Sequence, residues 1–346
     1  MSCGNEVYLS FPELVEILAD VFAKNGVTRD SAALLAANCA SCERDGSASH
    51  GVFRMPGYVA SLRSGWVDGA AEPILENTAP ALLRCDAKNG FAQVALEAAK
   101  PLLLEKIKET GVALLSIRNS HHFSALWPDV EPFADQGLMA LSVVNSMACV
   151  APHGGRKPVL GTNPLAFACP VAGFRPFVFD QASSAIAHGD LLIAANEGRQ
   201  LAPDQALNLA GEPTTDPNAV LCGGTLLPFG GHKGASIALM VEVLSAALSG
   251  GAFSHQVDWT DFPGAQTPRT GQFLLLIDGR RGNPTDFQMR LRGLLEVVKE
   301  AGQDRLPGER RFAYRSLAQS RGIPLSRRQL EDLRELAIRQ RMHPAH

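Results

Sequence analysis

Two serine-led capping motifs bracket the chain, and between them the hydrophobic period changes from that of helices to that of strands. In Ser10-Phe-Pro-Glu13 a hydroxyl and, three residues on, a carboxylate can each bind the other's backbone N–H. Leu14, Ile17, Leu18, Val21 and Phe22 then recur at helical spacing until Gly26. Ser326-Arg-Arg-Gln329 repeats the device ahead of Leu330, Leu333, Leu336 and Ile338. From 111 to 180 the pattern is instead one of short apolar runs, at 112–117, 138–144, 164–168 and 177–179, separated by Gly, Pro and Asn. Helices gathered at both ends and strands in the middle make a mixed α/β chain. Further helices are expected at 30–43, with Thr28 as cap, at 89–110, at 235–249 after a glycine-dense loop at 223–234, and at 286–302. A further strand is expected at 273–277.

At 346 residues, the chain has room for two or three domains. Lys+Arg 32 against Asp+Glu 35 leaves a net charge of -3, so no global basic field exists to hold DNA or RNA, and nucleic acid is not an expected partner. The apolar run 238–248 is broken by Glu242, well short of the roughly 18 apolar residues a membrane span needs. The first residues show neither a basic nor an apolar leader pattern, which makes a cytoplasmic location the expectation. Seven cysteines, an odd number, read as reduced thiols rather than a disulfide framework. Cys39 and Cys42 share one helical face, where packing is their expected role.

Neither a GxGxxG after a strand nor a GxxxxGK[ST] is present, so any nucleotide must be held by other means. Four clusters can carry chemistry. In the first, Ser49, His50, Arg54 and Tyr58 follow a helix end. If a helical turn starts at Gly51, His50 and Arg54 face the same way, with Arg54 able to clamp a carboxylate and His50 to move a proton beside it. The same residues also suit a loop in which Ser49 caps the next helix and Arg54 is a surface charge. The second cluster is Asn119-Ser-His121-His122-Phe-Ser-Ala-Leu-Trp127-Pro-Asp129. Its adjacent histidines must point apart, so at most one serves a site, and with no HExxH-type spacing no metal is expected.

The third cluster pairs Gly154-Gly155-Arg156-Lys157 and Gly161-Thr162-Asn163-Pro164 with Gly230-Gly231-His232-Lys233-Gly234. Glycines beside Lys and His at a helix start let backbone N–H groups approach a phosphate; two glycine turns with solvated lysines are the plainer account. The fourth is the basic run from Arg305 through Arg310 and Arg311 to Arg315, suited either to a phosphomonoester such as the 2′-phosphate of NADP or to a solvated surface turn.

In their order these segments resemble the malate/L-lactate dehydrogenase family, which does not use a Rossmann fold. The matching residues are Ser49-His50-Gly51, Arg54, Pro56 and Tyr58; Asn119-Ser120 and His122-Phe123; Ala151-Pro152, Gly154-Gly155 and Gly161-Thr162-Asn163-Pro164; Pro213-Thr-Thr-Asp-Pro217; and Leu227-Pro-Phe-Gly-Gly-His-Lys-Gly234. After the His-Phe pair, Ser124-Ala-Leu-Trp-Pro-Asp129 replaces the Gly/Ala-rich, Tyr-containing stretch usual in the hydroxy-acid dehydrogenases. It is similar to the branch that reduces the cyclic imines Δ1-piperideine-2-carboxylate and Δ1-pyrroline-2-carboxylate with NADPH, as is Leu306-Pro-Gly-Glu-Arg-Arg311.

The resemblance implies terminal helices packed together around a central mixed-sheet cofactor domain, with residues 1–115 and 280–346 on the substrate and dimerisation side and 116–279 binding NADP. It also implies a homodimer. By position it assigns Ser49, His50 and Asp190 to a proton relay, and Arg54, Thr162 and His188 to the substrate. His122, Phe123, Ser124, Ala125, Leu126, Asp180, Gln181, Ala182, Gly231, His232, Lys233, Leu306, Pro307, Gly308, Glu309, Arg310, Arg311 and Phe312 fall to NADPH. Hydride arriving at C2 of a C=N bond needs the nitrogen protonated, a task that suits a histidine. Two other readings remain: an NAD(P)-dependent 2-hydroxy-acid dehydrogenase with His122 or His50 as acid/base, and a non-catalytic nucleotide-binding descendant. A carbonyl substrate favours a polar contact where Trp127 and Pro128 stand, and the joint presence of His50, Arg54, Thr162 and Lys233 argues against a decayed site.

Overall fold

The computed structural model describes residues 6–283 and 286–338. Among them eleven strands follow in chain order: β1 (Glu6–Leu9), β2 (Ile74–Ala79), β3 (Leu82–Asp86), β4 (Val112–His121), β5 (Met139–Val144), β6 (Leu165–Cys169), β7 (Phe177–Gln181), β8 (Ala206–Leu207), β9 (Thr225–Leu226), β10 (Arg269–Ile277) and β11 (Ile323–Ser326). Two compact units form. The first takes the chain up to Ala71, Trp259–Thr267 and the chain from Arg310 on; the second takes Glu72–Asp258 and Pro268–Glu309.

In the first unit both capping boxes close. The Ser10 N–H donates to Glu13 Oε2 at 2.7 Å and the Glu13 N–H to Ser10 Oγ at 3.3 Å. Ser326 and Gln329 repeat the exchange at 2.9 and 3.2 Å. Such a cap contributes about 1 kcal/mol. Just before each box, β1 pairs antiparallel with β11, so the helices Phe11–Lys24 and Arg327–Leu336 leave one two-stranded ribbon and pack together. Their apolar stripes, Leu14, Leu18, Val21 and Phe22 with Leu330 and Leu333, are buried. The second helix is Arg29–Arg44; Thr28 stands at its N-cap, but the hydroxyl makes no cap bond, and its backbone N–H donates to Gly69 O. Cys39 and Cys42 are buried thiols outside any disulfide, as packing residues should be.

The second unit is built on a seven-stranded sheet of order β2-β3-β4-β10-β5-β6-β7. Only the β3–β4 pair is parallel, with the helix Ala92–Thr110 as its crossover, so the sheet is mixed. Leu274 and Leu276 of β10 are fully buried at the centre. This strand starts at Arg269, four residues before its expected start, and its register slips between Thr270 and Gln272. Gly271 at the slip is required: a Cβ there would lie 1.9 Å from Ser245 O. The β2–β3 hairpin escapes a pattern search because β2, Ile74-Leu-Glu-Asn-Thr-Ala79, is a largely exposed edge strand with no alternating apolar face. The helix expected at 235–249 begins at His232 and widens over Val243–Ala247 into i→i+5 bonding, Leu248 N–H to Val243 O at 2.8 Å.

Candidate active site

In the first unit the helix Arg29–Arg44 ends at Asp45, and two tight turns, Ala48–His50 and Val52–Arg54, lead into the helix Met55–Arg63. Ser49 Oγ and His50 Nδ1 stand 3.1 Å apart. Arg54 is 9% exposed and its Nε donates to Ser49 O at 2.8 Å, so it is no solvated surface charge but the closing bond of the turn that carries Ser49 and His50. Beneath that turn the Glu43 carboxylate accepts the Val52 N–H at 2.8 Å. Burial raises the Glu43 carboxyl above its ordinary range, with the Val52 N–H pulling the other way. Gly51 makes the contact possible, since a Cβ there would fall 2.1 Å from Glu43 Oε2. Asp45, fully buried at its side chain, accepts from Arg44 Nε at 2.7 Å and from Arg315 Nε at 3.0 Å. The Arg315 guanidinium in turn lies 5.2 Å from the centre of the buried Phe312 ring.

In the second unit the two adjacent histidines at the end of β4 diverge as a strand requires. Fully buried His121 places Nε2 3.0 Å from Asn89 Oδ1, whereas His122 Nε2 lies 2.9 Å from Asp129 Oδ2. Phe123 and Ser124 are half-buried, Ala125 and Leu126 buried. Asp180, near the end of β7, accepts the N–H groups of Leu126 and Trp127 at 2.8 Å each, so its carboxylate fixes both the 122–126 segment and the start of the helix Trp127–Asp135. Gln181 is exposed and Ala182 half-buried. The Thr162 carbonyl accepts the Ser183 N–H at 2.8 Å and the Ser183 hydroxyl at 2.9 Å, bringing the 162 loop against the chain that follows β7. Asn163, at φ +39°, donates to Ala238 O and to buried Glu242. Glu242 also receives the side chain of Asn145 and both the hydroxyl and N–H of Ser254.

His188 and Asp190 occupy the first turn of the helix His188–Asn196, the former half-buried and the latter exposed. Gly230 and Gly231, both at positive φ, turn the chain into the helix His232–Glu242, and exposed His232 and Lys233 stand at its start with the His153 ring 5.9 Å from that of His232. First-turn N–H groups beside cationic side chains suit a phosphate. Leu306 and Gly308 are half-buried, and Pro307 is exposed. The Glu309 carboxylate is engaged by Lys299 Nζ at 2.6 Å and the Leu306 N–H at 2.8 Å, and Lys299 holds its carboxyl below the usual range. Arg310 is exposed and Arg311 half-buried.

A family model for malate/L-lactate dehydrogenase matches residues 9–334. The chain belongs to the malate/L-lactate dehydrogenase family. Within this family it is 54% identical to a Δ1-pyrroline-2-carboxylate/Δ1-piperideine-2-carboxylate reductase of Pseudomonas syringae pv. tomato, over 95% of this chain and 96% of that one. It is 39% identical to a Δ1-pyrroline-2-carboxylate reductase of Pseudomonas fluorescens, over 95% and 98%. The crystal structure of Δ1-piperideine-2-carboxylate reductase from P. syringae pv. tomato matches with a TM-score of 0.94, covering 95% of this chain and 99% of that one. Sulfolactate dehydrogenase from Methanocaldococcus jannaschii, at 27% identity, matches with a TM-score of 0.82 over 95% and 96%. A unit of packed terminal helices and a unit built on a mixed sheet are thus the fold of this family.

Of the expected residues, the structure joins Ser49, His50 and Arg54 in one turn, and His122 to Leu126 with Asp180 in one hydrogen-bonded segment. Sequence reasoning missed Glu43, Asp45, Asp129, Glu242 and Gln272. Only Asp129 left a signal, as an acidic residue in the first turn after Trp127-Pro128, itself a helix start. Among the described residues no group of three or more His, Cys, Asp and Glu side chains gathers as a metal site, and no helix is long and apolar enough to cross a membrane.

Proposed function

We propose that this protein reduces the cyclic imino acids Δ1-pyrroline-2-carboxylate and Δ1-piperideine-2-carboxylate to L-proline and L-pipecolate with NADPH. The observation that carries this reading is the near-full-length 54% identity to a reductase of these two imines. The bound nicotinamide would supply a hydride to C2. His50 gives a proton to the imine nitrogen, its ring oriented by Ser49 at Nδ1. Arg54, buried and braced on Ser49 O, binds the ring carboxylate, and Thr162 and His188 are further substrate contacts. Asp190 serves as the carboxylate of the relay that keeps His50 in its working protonation state.

The second unit carries most of the cofactor contacts: His122, Phe123, Ser124, Ala125 and Leu126, then Asp180, Gln181 and Ala182, and the Gly231-His232-Lys233 turn. Asp180 acts through the loop it pins, because its Oδ2 already accepts two backbone N–H groups. Leu306, Pro307, Gly308 and Glu309 lead to Arg310, Arg311 and Phe312, where the two guanidiniums select NADPH over NADH. The protein works in the cytoplasm as a homodimer.

The test follows the loss of nicotinamide absorbance with the two imines, pyruvate and oxaloacetate side by side, each with NADPH and NADH. Turnover confined to the imines supports the reading; turnover of the keto acids in their place overturns it in favour of hydroxy-acid chemistry. Loss of the NADPH preference on replacing Arg310 and Arg311 with Ala checks the cofactor assignment, and light scattering at twice the monomer mass checks the dimer.

A further inference from the structure

The imidazole of His122 is gripped by a carboxylate for which the proposed reaction has no role. His122 Nε2 and Asp129 Oδ2 are 2.9 Å apart within the second unit, and each side chain is 3% exposed. The same oxygen accepts from Gln272 Nε2 at 2.8 Å, and Gln272 Nε2 also donates to Ser142 Oγ at 3.0 Å. Gln272 and Ser142 sit fully buried on the neighbouring central strands β10 and β5. Asp129 is thereby fixed from two sides, by the sheet through Gln272 and by the helix start whose backbone Asp180 holds.

A carboxylate has only acceptor capacity. With Oδ2 already receiving the Gln272 amide, the bond to His122 requires the imidazole to carry its hydrogen on Nε2. In the neutral ring Nδ1 is then a bare acceptor. Among the described residues Nδ1 has no hydrogen-bond partner, and it is not among the fully enclosed atoms.

We propose that Asp129 is a positioning residue for the reductase: it locks His122 in the Nε2–H tautomer so that Nδ1 receives a hydrogen-bond donor of the nicotinamide cofactor, a carboxamide N–H or a ribose hydroxyl. This rests on the reading of the 122–126 segment as a cofactor contact. Against a carboxamide N–H the opposite tautomer would set donor to donor and lose the bond; a ribose hydroxyl would have to turn and accept instead. Groups that orient a working histidine from behind typically carry about 10- to 100-fold in affinity or activity.

The first readout needs no cofactor. Nitrogen-15 spectra of the histidine-labelled apoprotein at alkaline pH, with the His122 signals assigned by their loss in His122→Gln, report which ring nitrogen holds the hydrogen. Nε2–H is expected; an Nδ1–H ring overturns the proposal directly. The second readout compares Asp129→Ala with Asp129→Asn, which keeps an oxygen to accept the Nε2–H. The alanine variant is expected to mix its tautomers and to raise KM for NADPH about 10- to 100-fold with a smaller change in kcat. The asparagine variant is expected to recover most of both. Equal impairment of the two variants, in proportion to their loss of thermal stability, makes Asp129 a packing residue and overturns the proposal. An Nε2–H tautomer lost in Asp129→Ala with KM for NADPH unchanged overturns it through its premise, the cofactor role of the 122–126 segment, and leaves the imine reductase activity to its own assay.

Discussion

Gly51→Ala perturbs the turn that carries Ser49, His50 and Arg54 through a single methyl group. The added Cβ would lie 2.1 Å from Glu43 Oε2 and 3.1 Å from Glu43 Cα and Cβ. The carboxylate must therefore withdraw by about 1 Å, a normal contact being near 3.4 Å or more, and in withdrawing it abandons the Val52 N–H. Loss of a buried hydrogen bond to a carboxylate costs about 1.5–3 kcal/mol. Overpacking against the helix backbone adds about 1–3 kcal/mol, and the smaller entropy of the unfolded alanine chain returns about 0.4–1 kcal/mol. The net expectation is about 2–5 kcal/mol of destabilisation in urea titration. The proposed activity falls with it, because the Val52–Arg54 turn loses its anchor and Arg54 its aim; KM for the imino acid rises while KM for NADPH holds. Combining the change with Glu43→Ala separates clash from mere sensitivity. With the carboxylate gone the methyl has room, so the double variant is less destabilised than the two single costs predict, by about 1.5–3 kcal/mol. Strict additivity, or a Gly51→Ala protein within about 0.5 kcal/mol of wild type, would refute the argument.

Arg54→Met is expected to raise KM for the imino acid about 10- to 100-fold, the equivalent of one charge-assisted hydrogen bond, with NADPH binding by fluorescence titration unchanged. Glu43→Gln tests the buried carboxyl by pH. Its folded pKa is raised above the ordinary glutamate value by burial, so the stability Glu43 supplies is greatest below that value and is lost as pH rises through the folded pKa. Glutamine keeps an acceptor for the Val52 N–H and cannot ionise; urea titrations from acid to neutral pH should show that this downward slope has vanished. A slope as steep as that of the wild type would place the titrating group elsewhere.

The elements that the sequence declares most openly are those whose bonding is local or whose apolar residues recur. Both capping boxes satisfy themselves within three residues, whereas the stripe from Leu14 to Phe22 and the short strands of the mixed sheet, whose ladder partners lie far along the chain, show themselves by hydrophobic period. The site clusters are legible as motifs because glycine, histidine and arginine stand where a turn follows a helix or strand. Whether Ser49 and Arg54 formed a site or a surface loop was not legible, since burial of Arg54 depends on the chain folding back so that Ser49 O meets its Nε. The β2–β3 hairpin was hidden for a different reason: an exposed edge strand obeys no hydrophobic alternation.

Four carboxylates, two of them missed in the sequence (Glu43, Glu242) and two expected only as cofactor contacts (Asp180, Glu309), share one structural role. Glu43 accepts the N–H of Val52, Asp180 those of Leu126 and Trp127, Glu242 that of Ser254, and Glu309 that of Leu306. Each carboxylate holds a loop by its main chain, and every non-proline residue offers the same N–H, so nothing in the partner's identity marks the pair. A side-chain pair leaves two chemically matched residues to find; a carboxylate on a backbone leaves one acidic residue among 35. The arrangement also separates two demands on a catalytic loop. Its side chains are proposed to serve substrate and cofactor, while its backbone is fixed from below by a group whose charge strengthens the bond in a buried setting. Where the backbone must come closest to such a group, as Gly51 does to Glu43, the absent side chain is part of the fastening, and the glycine carries information that the acidic residue does not.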